Sequence, residues 1–141
     1  MQKLLKAKLL FFIPALAYTF VVLYLSLINL ADTPIPELGI SDKIMHVGGY
    51  FVLGLLWMFF AIFNYKNERL FAKVLIVCGA AIVFGIFIEV LQDRLTSYRT
   101  LDFYDIVANS IGVVTAGIAV WLLKDTLIRL KAKINLFFIK K

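Results

Sequence analysis

The chain has 141 residues, of which 62% are hydrophobic and 17% charged, with a net charge of +6 and a mean hydropathy of +0.93. That composition excludes a soluble core under a wettable surface, and it leaves room for one bundle of about four membrane helices of roughly 20 residues each, with no second soluble domain. The single cysteine, Cys78, excludes an intrachain disulfide and a cysteine metal site, and reads as a small core residue.

The first apolar run, Leu9 to Ala31, is interrupted only by Pro14, Thr19, Ser26 and Asn29, all tolerable in a lipid-embedded helix. Lys3, Lys6 and Lys8 give it a basic start like that of a signal peptide. The small-residue sequence Ala15 to Ala17, however, falls near the start of the run, where cleavage is not expected. Residues 32–41, with Pro34, Pro36 and Gly39, read as a loop, and Ser41 or Asp42 suits the cap of the next helix. A second helix is expected over about 42–63, a short polar connection over 64–69 and a third helix over 70–91. A loop over 93–101 and a fourth helix over 102–123 complete a domain spanning 1–123. Trp57 and Trp121 read as interface markers toward the inner ends of the second and fourth helices. The tail, 124–141, mixes Leu127, Ile128, Leu130, Ile134, Phe137 and Phe138 with Lys and Arg. That pattern suits a basic amphipathic segment lying on an anionic inner leaflet, with a partner-binding helix as the alternative.

Basic residues beside helix ends stay cytoplasmic. A cytoplasmic N-terminus puts twelve Lys and Arg on the inner side and only Lys43, Arg94 and Arg99 on the outer side. Both termini are therefore expected in the cytoplasm. The same asymmetry accounts for the net positive charge without a nucleic-acid partner.

This threading brings three polar segments to the outer rim. Asp42, His46, Tyr50 and Gly54 follow one another at i, i+4 on the second helix, with Lys43 beside them. Ala81, Gly85, Glu89 and Asp93 form a second stripe, with Gln92 next to Glu89. Asp102, Asp105, Asn109 and Gly112 form a third, adjoined by Ala108 and Ala116. Small residues let helices approach closely in lipid, so the polar rows that continue them are expected to face one another. The expected result is an outward-opening pocket lined by Asp42, His46, Tyr50, Glu89, Gln92, Arg99, Asp102, Asp105 and Asn109. Ionisable groups at such a depth are costly and mark function by default.

The segments Ser41-Asp-Lys-Ile-Met-His46-Val-Gly-Gly-Tyr50, Ile88-Glu-Val-Leu-Gln92 and Arg99-Thr-Leu-Asp102-Phe-Tyr-Asp105-Ile-Val-Ala-Asn109-Ser-Ile-Gly112, taken together and in this order, resemble the VanZ-like family of small bacterial membrane proteins. The resemblance spans about 41–117; the first helix and the tail add nothing distinctive to it. It implies a four-helix protein of a bacterial cytoplasmic membrane whose name-giving member is associated with resistance to the glycopeptide teicoplanin. Its motif positions here are Asp42, Lys43, His46, Tyr50, Glu89, Gln92, Arg99, Asp102, Asp105, Asn109 and Gly112. It implies no settled reaction.

The residue types support two readings. In the first, an enzyme acts on a lipid or lipid-linked envelope precursor, with His46, Glu89 and Asp105 as catalytic groups. A carboxylate hydrogen-bonded to His46 would fix its tautomer, and Arg99 would hold an anionic head group. Asp42, Lys43, Tyr50, Gln92, Asp102 and Asn109 complete the substrate site. In the second, the same pocket binds or carries a lipid head group, an antibiotic or a cell-wall peptide without chemistry. His46 with Glu89, Asp102 and Asp105 offers nitrogen and oxygen ligands suited to Mn, Zn or Mg. The spacing lacks a His-Glu-x-x-His or a cysteine pair, so no residue is assigned to a metal and no cofactor is specified. A structural alternative reads Glu89 with Arg99, or Asp105 with Lys43, as ion pairs that merely join helices. Motifs for nucleotide binding or serine hydrolysis are missing.

Overall fold

In a computed structural model the backbone is described for residues 2–28, 41–65, 68–97 and 99–140, and the side chains for 9–28, 41–65, 68–97, 99–134 and 136. All regular structure among the described residues is helical: α1 (Gln2–Leu27), α2 (Asp42–Asn64), α3 (Leu70–Leu95), α4 (Phe103–Leu122) and α5 (Lys124–Lys140). Four stretches, Leu9–Leu27, Asp42–Asn64, Leu70–Leu95 and Phe103–Leu122, are long and apolar enough to cross a membrane. The protein is a multi-pass membrane protein. The expected last residues of the first helix, 29–31, and most of the loop that follows, 32–40, lie outside the described residues, as do Lys66 and Lys141.

The helices run antiparallel in sequence order, and their boundaries follow local chemistry. Ser41 precedes α2, its carbonyl accepting from the Ile44 N–H at 2.9 Å, although its hydroxyl makes no capping bond. At α4, Asp102 is the N-cap and accepts from the Tyr104 N–H at 2.8 Å, so the helix begins one residue later than expected. α3 continues four residues beyond Leu91, past Asp93, to Leu95. Apolar periodicity stops with the apolar run, so the polar residues Gln92, Asp93 and Arg94 hide the last turn.

The α2–α4 contact is the most extensive, and glycine makes it possible. A methyl group at Gly112 would meet the Val47 carbonyl oxygen at 2.3 Å and the Phe51 nitrogen at 2.9 Å, both backbone atoms. Gly54 faces Ala116 in the same seam, and Gly85 of α3 lies against Tyr50 and Asn109. Below this seam an apolar layer gathers Met58, Ile62, Leu70, Val74, Ala116 and Val120, with Leu127 of α5 packed against it. A middle layer holds Tyr50, Leu53, Ala81 and Val113. Large apolar side chains such as Phe20, Ile44, Ile76, Val83 and Ile118 face outward, as lipid requires.

Trp57 is half-buried and donates to Thr19 Oγ1 at 3.0 Å, tying α2 to α1. The tail is a regular helix held to the bundle: Lys131 donates to the Ile62 carbonyl at 2.6 Å at the C-terminal end of α2, where a cation also suits the helix dipole. Burial pushes the Lys131 ammonium below its usual pKa, and Lys73 adds to this. Trp121 stacks edge-on with Phe71 and carries Lys124 4.2 Å above its ring.

Candidate functional site

The N-terminal ends of α2 and α4 and the C-terminal ends of α1 and α3 meet at one rim, and the expected polar residues meet there. Glu89, Gln92, Asp105, Asn109 and Tyr50 are each at most 5% exposed. His46 is the hub. Its Nδ1 lies 3.0 Å from Asn109 Oδ1 across the α2–α4 seam. With that amide oxygen as acceptor, Nδ1 carries a proton and Nε2 turns to the carboxylates. Nε2 is 3.7 Å from Asp42 Oδ2 and 3.6 Å from Asp105 Oδ2, beyond hydrogen-bond range. The hydrogen bond expected between His46 and Glu89 or Asp105 is thus replaced by one to Asn109.

Each carboxylate is held from behind. Lys43 bridges Asp102 and Asp105, taking Asp105 Oδ1; this is the Lys43–Asp105 ion pair foreseen as a clamp between helices. Beside Lys43, and with the Tyr104 N–H, the Asp102 carboxyl is held below the usual carboxylate range. Arg99 reaches Asp42 Oδ1 at 3.4 Å, so its partner is Asp42 and not Glu89. Glu89 lies within electrostatic reach of Asp105, His46 and Arg99. Yet its Oε1 has no hydrogen-bond partner among the described residues, nor do the Tyr50 hydroxyl and Asn109 Nδ2. Buried polar groups are rarely left so, and three together around one histidine form an unusual concentration.

A cavity of about 200 Å³ opens at this rim, lined by Tyr18, Val22, Leu25, Ser26, Asp42, His46, Tyr50 and Arg99 among others. The cavity is walled by α1 and α2 with Arg99 of the α3–α4 connection, in place of the expected enclosure by α2, α3 and α4; Glu89, Asp102, Asp105 and Asn109 lie behind it and do not line it. Tyr18 donates to the Gly49 carbonyl at 3.3 Å, and Gln92 donates to the Ser26 carbonyl at 2.8 Å. Gln92 therefore fastens α3 to α1 instead of facing the pocket. Tyr18 and Ser26 escape notice in the sequence because a long apolar run tolerates such residues without function; the only signal was their polarity. Asp93 stands outside the site, exposed, accepting from the Leu101 N–H and beside Arg94. About one helical turn deeper, a second cavity of about 300 Å³, almost wholly apolar, lies between α1, α2 and α3 and is lined by Thr19, Leu53, Trp57, Ile76, Val77 and Phe84 among others.

No family model matches the chain, and no solved structure matches it. The chain is similar to the protein C11E3.10 of the fission yeast Schizosaccharomyces pombe, itself described as uncharacterized, with 36% identity over 93 residues. The match covers 66% of this chain and 54% of the yeast protein, so the chain spans about half the length of that relative.

Proposed function

We propose that this chain is a VanZ-like protein of a bacterial cytoplasmic membrane that acts on a lipid or lipid-linked envelope precursor. In this reading the rim pocket faces outward, both termini lie in the cytoplasm, and α5 rests on the inner leaflet. The observation that carries it is the Tyr50 hydroxyl, buried with no partner among the described residues, in the wall of a cavity that also presents Arg99 and His46. Polar groups left unmatched inside a membrane bundle are costly, and a polar ligand that pairs with them recovers that cost. A lipid fits both cavities at once, with an anionic head group against Arg99 and an acyl or prenyl chain in the apolar cavity a turn deeper.

In the catalytic form, His46 moves the proton, Asp105 and Glu89 tune it, and Arg99 with Lys43 offsets the head-group charge. Asp42, Tyr50, Asp102 and Asn109 orient these groups. The distance of more than 3.5 Å from Nε2 to either carboxylate favours a second reading, a binder or carrier without turnover, because no carboxylate activates the ring directly. A change in glycopeptide susceptibility follows from either reading if the precursor is the antibiotic's target.

Lipid and cell-wall precursor profiles of a deletion strain, complemented with wild type or with His46→Gln, test the proposal. Turnover predicts a precursor pool that wild type restores and His46→Gln does not, by tenfold or more. Binding alone predicts restoration by both. An unchanged pool in the deletion strain contradicts the proposal.

A further inference from the structure

Three side chains at the rim each turn one metal-ligating atom toward a common point. Asp42 Oδ2, His46 Nε2 and Asp105 Oδ2 lie within 4.8 Å of one another, with the histidine 3.6 and 3.7 Å from the two oxygens. These separations are too long for hydrogen bonds. They match ligands that share a cation at about 2.1 Å, which stand at most about 4.2 Å apart. The oxygen pair needs only a small rotation of Asp42, whose side chain is 44% exposed.

The opposite atom of each group is occupied. Asp42 Oδ1 is held by Arg99, Asp105 Oδ1 by Lys43, and His46 Nδ1 by Asn109 Oδ1. Metal-binding imidazoles and carboxylates are oriented in this way by partners on their far side. Charge points in the same direction. Three carboxylates, Asp42, Asp102 and Asp105, face two cations, Lys43 and Arg99. With the imidazole neutral these groups leave one negative charge uncompensated, which a bound cation offsets.

An independent feature calls for a ligand in the same place. Tyr50, one turn from His46 and lining the same cavity, is 3% exposed, and its hydroxyl has no partner among the described residues. We infer that Asp42, His46 and Asp105 bind a divalent transition-metal cation, Zn²⁺ or Mn²⁺, with coordination positions left open toward the cavity and the Tyr50 hydroxyl. The mixed nitrogen and oxygen donors suit these two ions. The ligand set differs from that suggested by sequence alone: Asp42 enters, while Glu89 and Asp102 stand outside. Open positions would receive a phosphate or carboxylate oxygen of the head group; that use rests on the function proposed above, whereas the cation itself does not.

The test uses full-length protein purified in detergent through a histidine-free tag without chelator. Elemental analysis is expected to find about one Zn or Mn per chain in wild type and in Asp93→Asn, and less than a tenth of that in Asp42→Asn and His46→Gln. After chelator treatment, adding ZnCl₂ or MnCl₂ should raise the thermal midpoint of wild type and leave that of His46→Gln unmoved. Asp42 is on the open rim, so its variant remains informative if His46→Gln does not fold. Wild type without metal and without thermal response to either ion overturns the inference, as does metal lost equally from Asp93→Asn. Wild type that holds no metal and responds to neither ion, yet still retains an anionic lipid, would overturn the cation and leave the head-group pocket standing.

Discussion

The imidazole of His46 is fixed by what lies behind its neighbours. Asn109 holds one nitrogen, and the two carboxylates facing the other are pinned by Arg99 and Lys43. Tyr50 shows the cost of such a site. Its ring packs against Phe84 and Gly85, while its hydroxyl is buried without a partner. Removing a buried unsatisfied hydroxyl recovers about 1–3 kcal/mol. Tyr50→Phe is therefore expected to raise the unfolding midpoint in detergent while weakening retention of an anionic lipid. A midpoint lowered by Tyr50→Phe would mean that the hydroxyl is satisfied and structural. The exchange of stability for a ligand contact is the mark of a functional group.

At the scale of elements, the rim depends on how closely α2 and α4 approach. Gly112→Ala would place a methyl group against the backbone of Val47 and Phe51. Backbone cannot rotate aside, so α2 must shift, with an expected loss of about 2–3 kcal/mol. Gly79→Ala, which meets nothing within 4 Å, is expected to be neutral or to stabilise by up to about 1 kcal/mol through helix propensity. Thermal unfolding of the two variants side by side checks this; equal midpoints would refute the close-seam account. The spacing of Gly54, Gly85 and Gly112 in the sequence already announced this seam, because small residues repeat there at helical period beside the polar rows. Helix number and the buried identities of Glu89, Asp105 and Asn109 were legible for the same reason. Hydrogen-bond partners were not. Whether His46 meets Asn109 or a carboxylate, and whether Gln92 turns to the pocket or to Ser26, depends on helix rotation of a fraction of a turn. Periodicity does not carry that information. The role of α1 was hidden because Tyr18, Thr19 and Ser26 are scattered through an apolar run without a period of their own.

At the scale of the whole molecule, polarity is graded along the bundle axis. One end collects His46, Glu89, Asp105 and Asn109, and the other is an apolar layer closed by Leu127 of α5. Basic residues beside the spans are more numerous at the opposite end from the rim, the distribution expected if that end faces the cytoplasm. Asp42 and Arg99, 57 residues apart in the chain, stand 3.4 Å apart at the rim, and in the function proposed above they open together to the non-cytoplasmic side. Single cysteines at these positions and at Lys124, in a Cys78→Ser background, can be labelled in intact cells with a membrane-impermeant maleimide. Asp42→Cys and Arg99→Cys should both react from outside, and Lys124→Cys only after permeabilisation. Labelling of Asp42→Cys and Arg99→Cys from opposite faces, or of Lys124→Cys together with them, would contradict the shared outward pocket.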